Sequence, residues 1–145
     1  MDSIYEELWM LRAEIIGDVI PVNWCKTIRK DNSPGEPDII ACLILANIIA
    51  WYMPIKEIDV DMEMIHFFGF GQKFSGSRLR RDYQYYSNCL GVSDTMAREA
   101  INNLVRLKLI TEEIEYTYVG SGIDTISMYL EPNIEKVFGI TWPEE

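Results

Sequence analysis

The stretch DYQYYSNCLGVSDTMAREAINNLVRLKLI, residues 82–110, decides the fold. Its first part predicts a helix from about Asp82 to Leu90, with Tyr83, Tyr86 and Leu90 on one face at helical spacing. Gly91 stops that helix, because glycine enters the left-handed region without a steric cost. Ser93 is a good N-cap for a second helix, and Asp94 suits the positive end of its dipole. Ala97, Ala100, Ile101, Leu104 and Leu107 then recur at spacings of three and four, the stripe of a buried helix face. The small Ala97 and Ala100 allow close approach to the first helix. Two helices at a tight turn are the sequence form of a helix-turn-helix.

Downstream, Ile114, Tyr116 and Tyr118 alternate as in a strand. Val119-Gly120-Ser121-Gly122 reads as a turn, and Ile123, Ile126, Met128 and Leu130 form a second strand-like run. A helix pair followed by a hairpin is the winged-helix pattern. The expected fold is therefore mostly α with a small β-hairpin wing: a winged helix-turn-helix (α+β) over residues 82–130, in a single domain of 1–145. An extra N-terminal helix is expected over residues 1–19. There Ile4, Leu8, Leu11 and Ile15 share a face with Tyr5 and Trp9, and Ser3 with Glu6 makes a capping box.

The segment between these parts is mixed. Pro21 favours an extended start, and Asn23 is a candidate cap for a short helix through Ile28. RKDNSPGEP, residues 29–37, has loop composition. DIIACLILANIIAWYM, residues 38–53, is apolar on nearly every face, which suits the central post of a core and is too short for a membrane span. Its Asn47 needs a partner or a place at the rim. Ile58, Val60, Met62 and Met64 alternate with Glu57, Asp59, Asp61 and Glu63, so a strand with one acidic face is expected. His66, the single histidine, sits beside Phe67 and Phe68 and reads as a packing residue. Pro132, Ile134, Val137, Phe138 and Trp142 suggest a short helix and tail folded onto the body.

Composition limits the function. One histidine and the absence of GxSxG, HExxH and P-loop spacing leave no catalytic constellation, so no enzyme, metal or cofactor is expected. Cys25, Cys42 and Cys89 lack CxxC spacing and read as reduced core residues of a cytoplasmic protein. The start, Met1-Asp2-Ser3, has no basic signal-peptide region. The net charge is −10, which disfavours nucleic acid. Residues 72–110 nevertheless carry seven basic side chains against three acidic ones, a net +4 that leaves −14 elsewhere. That contrast is either solvated surface charge or a device for steering a partner.

Two sets of binding residues follow. In a major groove, Arg98 would read guanine, Asn102 adenine, and Thr95 or Met96 a thymine methyl. Lys73, Arg78, Arg80, Arg81 and Arg106 would hold phosphates. Asp94 and Glu99 on the same helix oppose this. The alternative is that Glu57, Asp59, Asp61 and Glu63 imitate a phosphate backbone toward a basic nucleic-acid-binding protein, or that they simply keep an edge strand soluble.

The blocks IPVNWCKTI, PDIIACLILANIIAWYMP, KFSGSRLRRDYQYYSNCLGVSDTMAREAINNLVRLKLI and the hairpin ending in SMYLEPN lie within residues 20–143. In order and spacing they resemble the N-terminal winged-helix domain of DnaD-like and phage replication-initiator proteins of Gram-positive bacteria and their phages. The resemblance implies a role in replication, with duplex DNA binding or self-association as a homodimer through this domain. By position it implies Lys73, Arg78, Arg80, Arg81, Arg98 and Arg106 as the basic contacts. Family members usually continue into further segments, so this chain is expected to be a stand-alone acidic domain of phage or mobile-element origin. Two partner classes stay open: duplex DNA, in replication or transcription control, and a host nucleic-acid enzyme blocked as DNA mimics and inhibitors of CRISPR effectors block theirs.

Overall fold

A computed structural model describes residues 4, 19–53, 55–61 and 64–143. The expected N-terminal helix falls almost wholly outside them. The described elements are α1 (Val22–Thr27), α2 (Ile39–Tyr52), β1 (Ile55–Asp61), β2 (Met64–Gly71), β3 (Leu79–Arg80), α3 (Tyr83–Leu90), α4 (Asp94–Arg106), β4 (Ile110–Val119), β5 (Gly122–Pro132) and α5 (Ile134–Thr141). The chain is an α+β fold. Antiparallel β1 and β2 form one sheet, and β3, β5 and β4, in that order and also antiparallel, form the other. No described helix is long and apolar enough to cross a membrane.

The helix pair forms where its capping residues predict. The Asp82 carboxylate accepts from Tyr85 N at 2.8 Å and starts α3. Gly91 ends it at φ 70°. Ser93 Oγ accepts from Met96 N at 3.1 Å and starts α4. Ala97, Ala100, Ile101 and Leu104 are all buried against α2 and α3. The Ser87 hydroxyl donates to the Asp94 carboxylate, so the two helices are also clasped across their turn.

α2 is the central post. Asp38 caps it by accepting from Ala41 N at 3.0 Å. Cys42, Ile44, Leu45 and Ile48 have no exposed surface. Asn47 does find a partner: its Oδ1 accepts from the hydroxyl of buried Tyr86 at 3.0 Å. Tyr52 ties the other end to the sheet, donating to Leu130 O at 2.6 Å and accepting from Leu79 N at 2.8 Å. The side chain of Asn103, on α4, donates to Asp38 Oδ2 at 2.8 Å and to Arg29 O at 2.7 Å.

Several expectations need correcting. The chain holds more strand than a mostly α fold with a small hairpin: β4 and β5 run from Ile110 to Pro132, and a second hairpin occupies Ile55–Gly71. The aromatic, glycine-spaced half of that second segment supplies a returning strand, with a register shift where β1 passes Glu57 and Ile58. The side-chain surroundings of His66 lie outside what is described. Asn23 does not cap α1; Pro21 is the N-cap, and Asn23 Nδ2 donates instead to Thr141 O at 3.1 Å. Beside it, Trp24 Nε1 donates to Thr141 Oγ1 at 2.8 Å, which fastens α1 to α5.

In the β4–β5 hairpin, Gly120 takes φ 63° in a two-residue turn closed by Val119 and Gly122. A single positive φ at the first central position is the glycine-first turn favoured by strand twist. Ile123 and Ile126 are three apart, an odd spacing for one face. Tyr118 pairs with Ile123 and Thr117 with Thr125, so Asp124 is an extra residue that restores both isoleucines to the same side.

Two outcomes test this core. Asn103→Ala lowers the free energy of unfolding by about 3 kcal/mol in urea denaturation, because buried Asp38 loses a charge-assisted donor. Asn103→Leu keeps the volume and fails to restore stability; a Leu variant as stable as the wild type would reduce Asn103 to packing. Cys42 is the second case. Burial, and then the neighbouring Cys25, pushes its thiol up to about 12. The unfolded chain ionises near 8.5, so this group's contribution to stability is complete below about 8.5 and is lost as pH rises toward 12. At pH about 8, where a thiolate is the reacting species, alkylation of native protein marks exposed Cys89 and spares Cys42 until denaturant is added, as mass spectrometry reads directly.

Candidate functional site

The two candidate surfaces are the outer face of α4 and the β4–β5 hairpin. Thr95, Met96, Arg98, Glu99, Asn102 and Arg106 are all exposed on α4, on the side away from the Ala97–Leu104 stripe. Ser93 caps the first turn of this helix through the amide of Met96. The Asp94 carboxylate accepts from the Ser87 hydroxyl and so clasps the turn between the two helices.

The outer face of α4 does not stand clear of the body. The loop after α1 rises beside it, closed by an Arg29–Pro37 bridge and a Lys30–Glu36 ion pair at 3.1 Å. Arg106 reaches that loop at Asp31, 3.3 Å away, and also donates to Asn103 Oδ1 at 2.6 and 3.1 Å. The result is a cleft of about 580 Å³ with Lys30, Asp31 and Asn32 on one wall and Met96, Glu99, Asn102 and Arg106 on the other. A helix recessed in this way presents one flank to a groove and not its whole outer face.

The expected phosphate contacts divide unevenly. Lys73 Nζ donates to Ala50 O at 2.7 Å, at the negative end of the α2 dipole. Arg78 lies over the Tyr129 ring, 4.3 Å from its centre, and bonds two carboxylates of β4: Glu113, and Glu115 at 2.6 Å. The hydrogen bond to Glu115 is the leading cause that raises its pKa above the usual arginine value. Arg81 is stacked between Trp51 and Tyr85, 4.8 and 4.3 Å from the ring centres, and donates to Arg80 O at 2.8 Å. Its buried Nε has no hydrogen-bond partner. Arg106 is held as described. Arg98 rests over Tyr83 at 5.7 Å, and Arg80 is exposed with no side-chain partner among the described residues. So four of the six expected cations are engaged within the protein, and they are divided: Arg78, Arg80 and Arg81 line one cleft, while Arg106 lines another.

The acidic set is placed differently. Glu57, Asp59 and Asp61 lie at alternate positions on β1, and Glu63 falls outside the described residues. The acidic feature that sequence reading passed over is the β4–β5 hairpin itself. Residues 110–132 contain Glu112, Glu113, Glu115, Asp124 and Glu131 and no lysine or arginine, a net −5. Counting charge by element, instead of across residues 72–110, would have found it.

The hairpin also continues the core face outward. Met128 and Leu130 are buried, and beyond them on the same side come Ile114, Tyr116, Tyr118, Ile123 and Ile126, which are 43–63% exposed. At its base, Tyr83 donates to Glu112 at 3.2 Å, and burial, then Glu112, raises the tyrosine's pKa. Tyr85, Arg81, Ile114, Ile126 and Met128 line a cleft of about 490 Å³ there.

No protein-family model matches this sequence, and no curated protein and no solved structure is similar to it.

If Arg78 staples β3 to β4 across Tyr129, Arg78→Gln frees the outer part of the hairpin. Hydrogen exchange at the amides of Glu113 and Glu115 is then faster than in the wild type, while exchange in α4 is unchanged. Equal rates in β4 would remove the staple.

Proposed function

We propose that residues 22–143 form a winged-helix scaffold that binds a basic, nucleic-acid-binding protein and does not grip duplex DNA. The hairpin's charge carries this reading. In a winged helix the hairpin flanks the helix that would enter the groove, and here it holds five carboxylates and no cation. Duplex DNA places a phosphate charge every ~1.7 Å of its axis, so such a hairpin would be repelled from the backbone beside the groove. Three further observations support the same side. Four of the six expected phosphate contacts are used inside the fold. The outer face of α4 is partly walled by an acidic loop residue, Asp31. The exposed side of the hairpin is aliphatic and aromatic, which suits a protein interface. The acidic strand β1 adds to the field that would steer a basic partner toward this chain.

The resemblance to replication-initiator domains fits this reading as a shared scaffold with a different partner. The test is a fluorescence-anisotropy titration of the purified protein into labelled random duplex, at low and then physiological salt. No saturable binding is expected at either. Salt-sensitive binding that disappears on neutralising Arg80 and Arg98 would overturn the proposal in favour of a DNA-binding protein.

A further inference from the structure

β4 is the outermost strand of its sheet, after β3 and β5. Among the described residues its far edge pairs with no other strand, and every residue from Glu113 to Val119 is exposed. Proteins usually blunt such an edge with lysine, proline, a bulge or short length. β4 has ten residues and no lysine or proline, and the bulge of this hairpin lies in β5. Its protection is charge: Glu112 at the base of the apolar side, and Glu113 and Glu115 on the other side.

We propose that this edge takes an extended segment of the partner protein as a further strand, with aliphatic or aromatic residues alternating with Lys or Arg. This rests on the protein-binding reading above and specifies the form of the ligand. Alternation along β4 supplies the two halves of the recognition. Ile114, Tyr116 and Tyr118 face one side, backed by Ile126 and Ile123 from β5. Glu113 and Glu115 face the other. A strand laid alongside would place every second side chain over the apolar row and the intervening ones beside the carboxylates.

Charge decides the occupant. A second copy of β4 laid antiparallel in a register centred on Ile114 would bring Glu113 against Glu115, and in any register it would bring together two hairpins of net −5, as an acidic segment would also add charge of the same sign. A basic segment would not. Arg78 shows within this molecule that the pair accepts a guanidinium: one arginine bonds both carboxylates, and a single positive charge leaves the pair net negative.

The experiment uses the full chain and two labelled synthetic peptides of equal composition, one alternating valine and lysine, the other with the same residues in two blocks. The alternating peptide is expected to bind saturably and the block peptide about tenfold more weakly or not at all. Tyr116→Ser, an exposed change whose fold is checked by circular dichroism, lowers affinity for the alternating peptide by a similar factor. N-methylation of one of the two sets of alternate peptide amides abolishes binding, because strand addition needs those donors. Equal binding of both peptides, or tolerance of both N-methylated sets, would overturn strand addition. So would a homodimer in sedimentation equilibrium that Tyr116→Ser dissolves, since the edge would then belong to a second copy. Peptide failure without duplex binding removes strand addition alone, whereas duplex binding removes the protein-binding reading beneath it.

Discussion

The fold depends on how α2 is held. A helix that is apolar on nearly every side can be buried at many rotations, because hydrophobic burial is not directional. Three polar contacts remove that freedom. Asp38 caps the N-terminus and takes Asn103 from α4. Asn47 meets Tyr86 from α3. Tyr52 joins Leu79 and Leu130 in two strands. Asn47 and Tyr52 are five residues apart, about 140° around the helix, so one contact faces the helix pair and the other the sheet. The helix pair and the hairpin therefore sit on opposite flanks of one post, and their relative placement follows from its rotation. A buried hydrogen bond contributes ~1 kcal/mol net, but leaving its partner unpaired costs ~1–3. The contacts thus discriminate against wrong rotations more than they stabilise the right one.

The same logic explains why a basic segment need not be a basic surface. Residues 72–110 have a net +4, yet much of that charge already has partners within the fold. Lys73 caps a helix end, an interaction typically of ~0.3–1 kcal/mol. Arg81 is stacked on two rings, with ~0.5–1 kcal/mol in each contact. Arg78 would have to leave two glutamates. Each of these costs subtracts from a contact whose worth falls with salt. Net charge by segment is thus an upper bound on the charge the surface presents.

Much of the helix pair was legible because its signals are local. Asp82, Gly91 and Ser93 each act within one turn of chain, and the Ala97–Leu104 stripe marks a face without knowledge of what it meets. Asn103 was not legible. On a helix wheel it is a polar residue beside a buried stripe, and only the approach of Asp38, 65 residues away, makes it a core residue. Arg78 and Glu113 are likewise far apart in sequence, so pairing them required the strand register. In Ile55–Gly71, the period of two revealed the first strand, while the Phe and Gly run of the second hides its alternation behind aromatic residues at successive positions. The residues expected to read bases, Thr95, Met96, Arg98 and Asn102, do lie on the exposed face of α4. What sequence could not show was the loop standing beside that face.

The hairpin's exposed face can be weighed against the cost of using it. Fully burying a side chain such as Ile or Tyr contributes ~1.5–3 kcal/mol. Ile114, Tyr116, Tyr118, Ile123 and Ile126 each keep roughly half of that unspent, about 1 kcal/mol apiece and ~5 in all. Association costs an estimated 4–15 kcal/mol in lost freedom. The apolar face alone therefore leaves little surplus. An occupant gains usable affinity by adding something to it. Backbone hydrogen bonds along the edge of β4 and charge beside Glu113 and Glu115 are the additions this hairpin offers, and both select a ligand by its alternation and its sign.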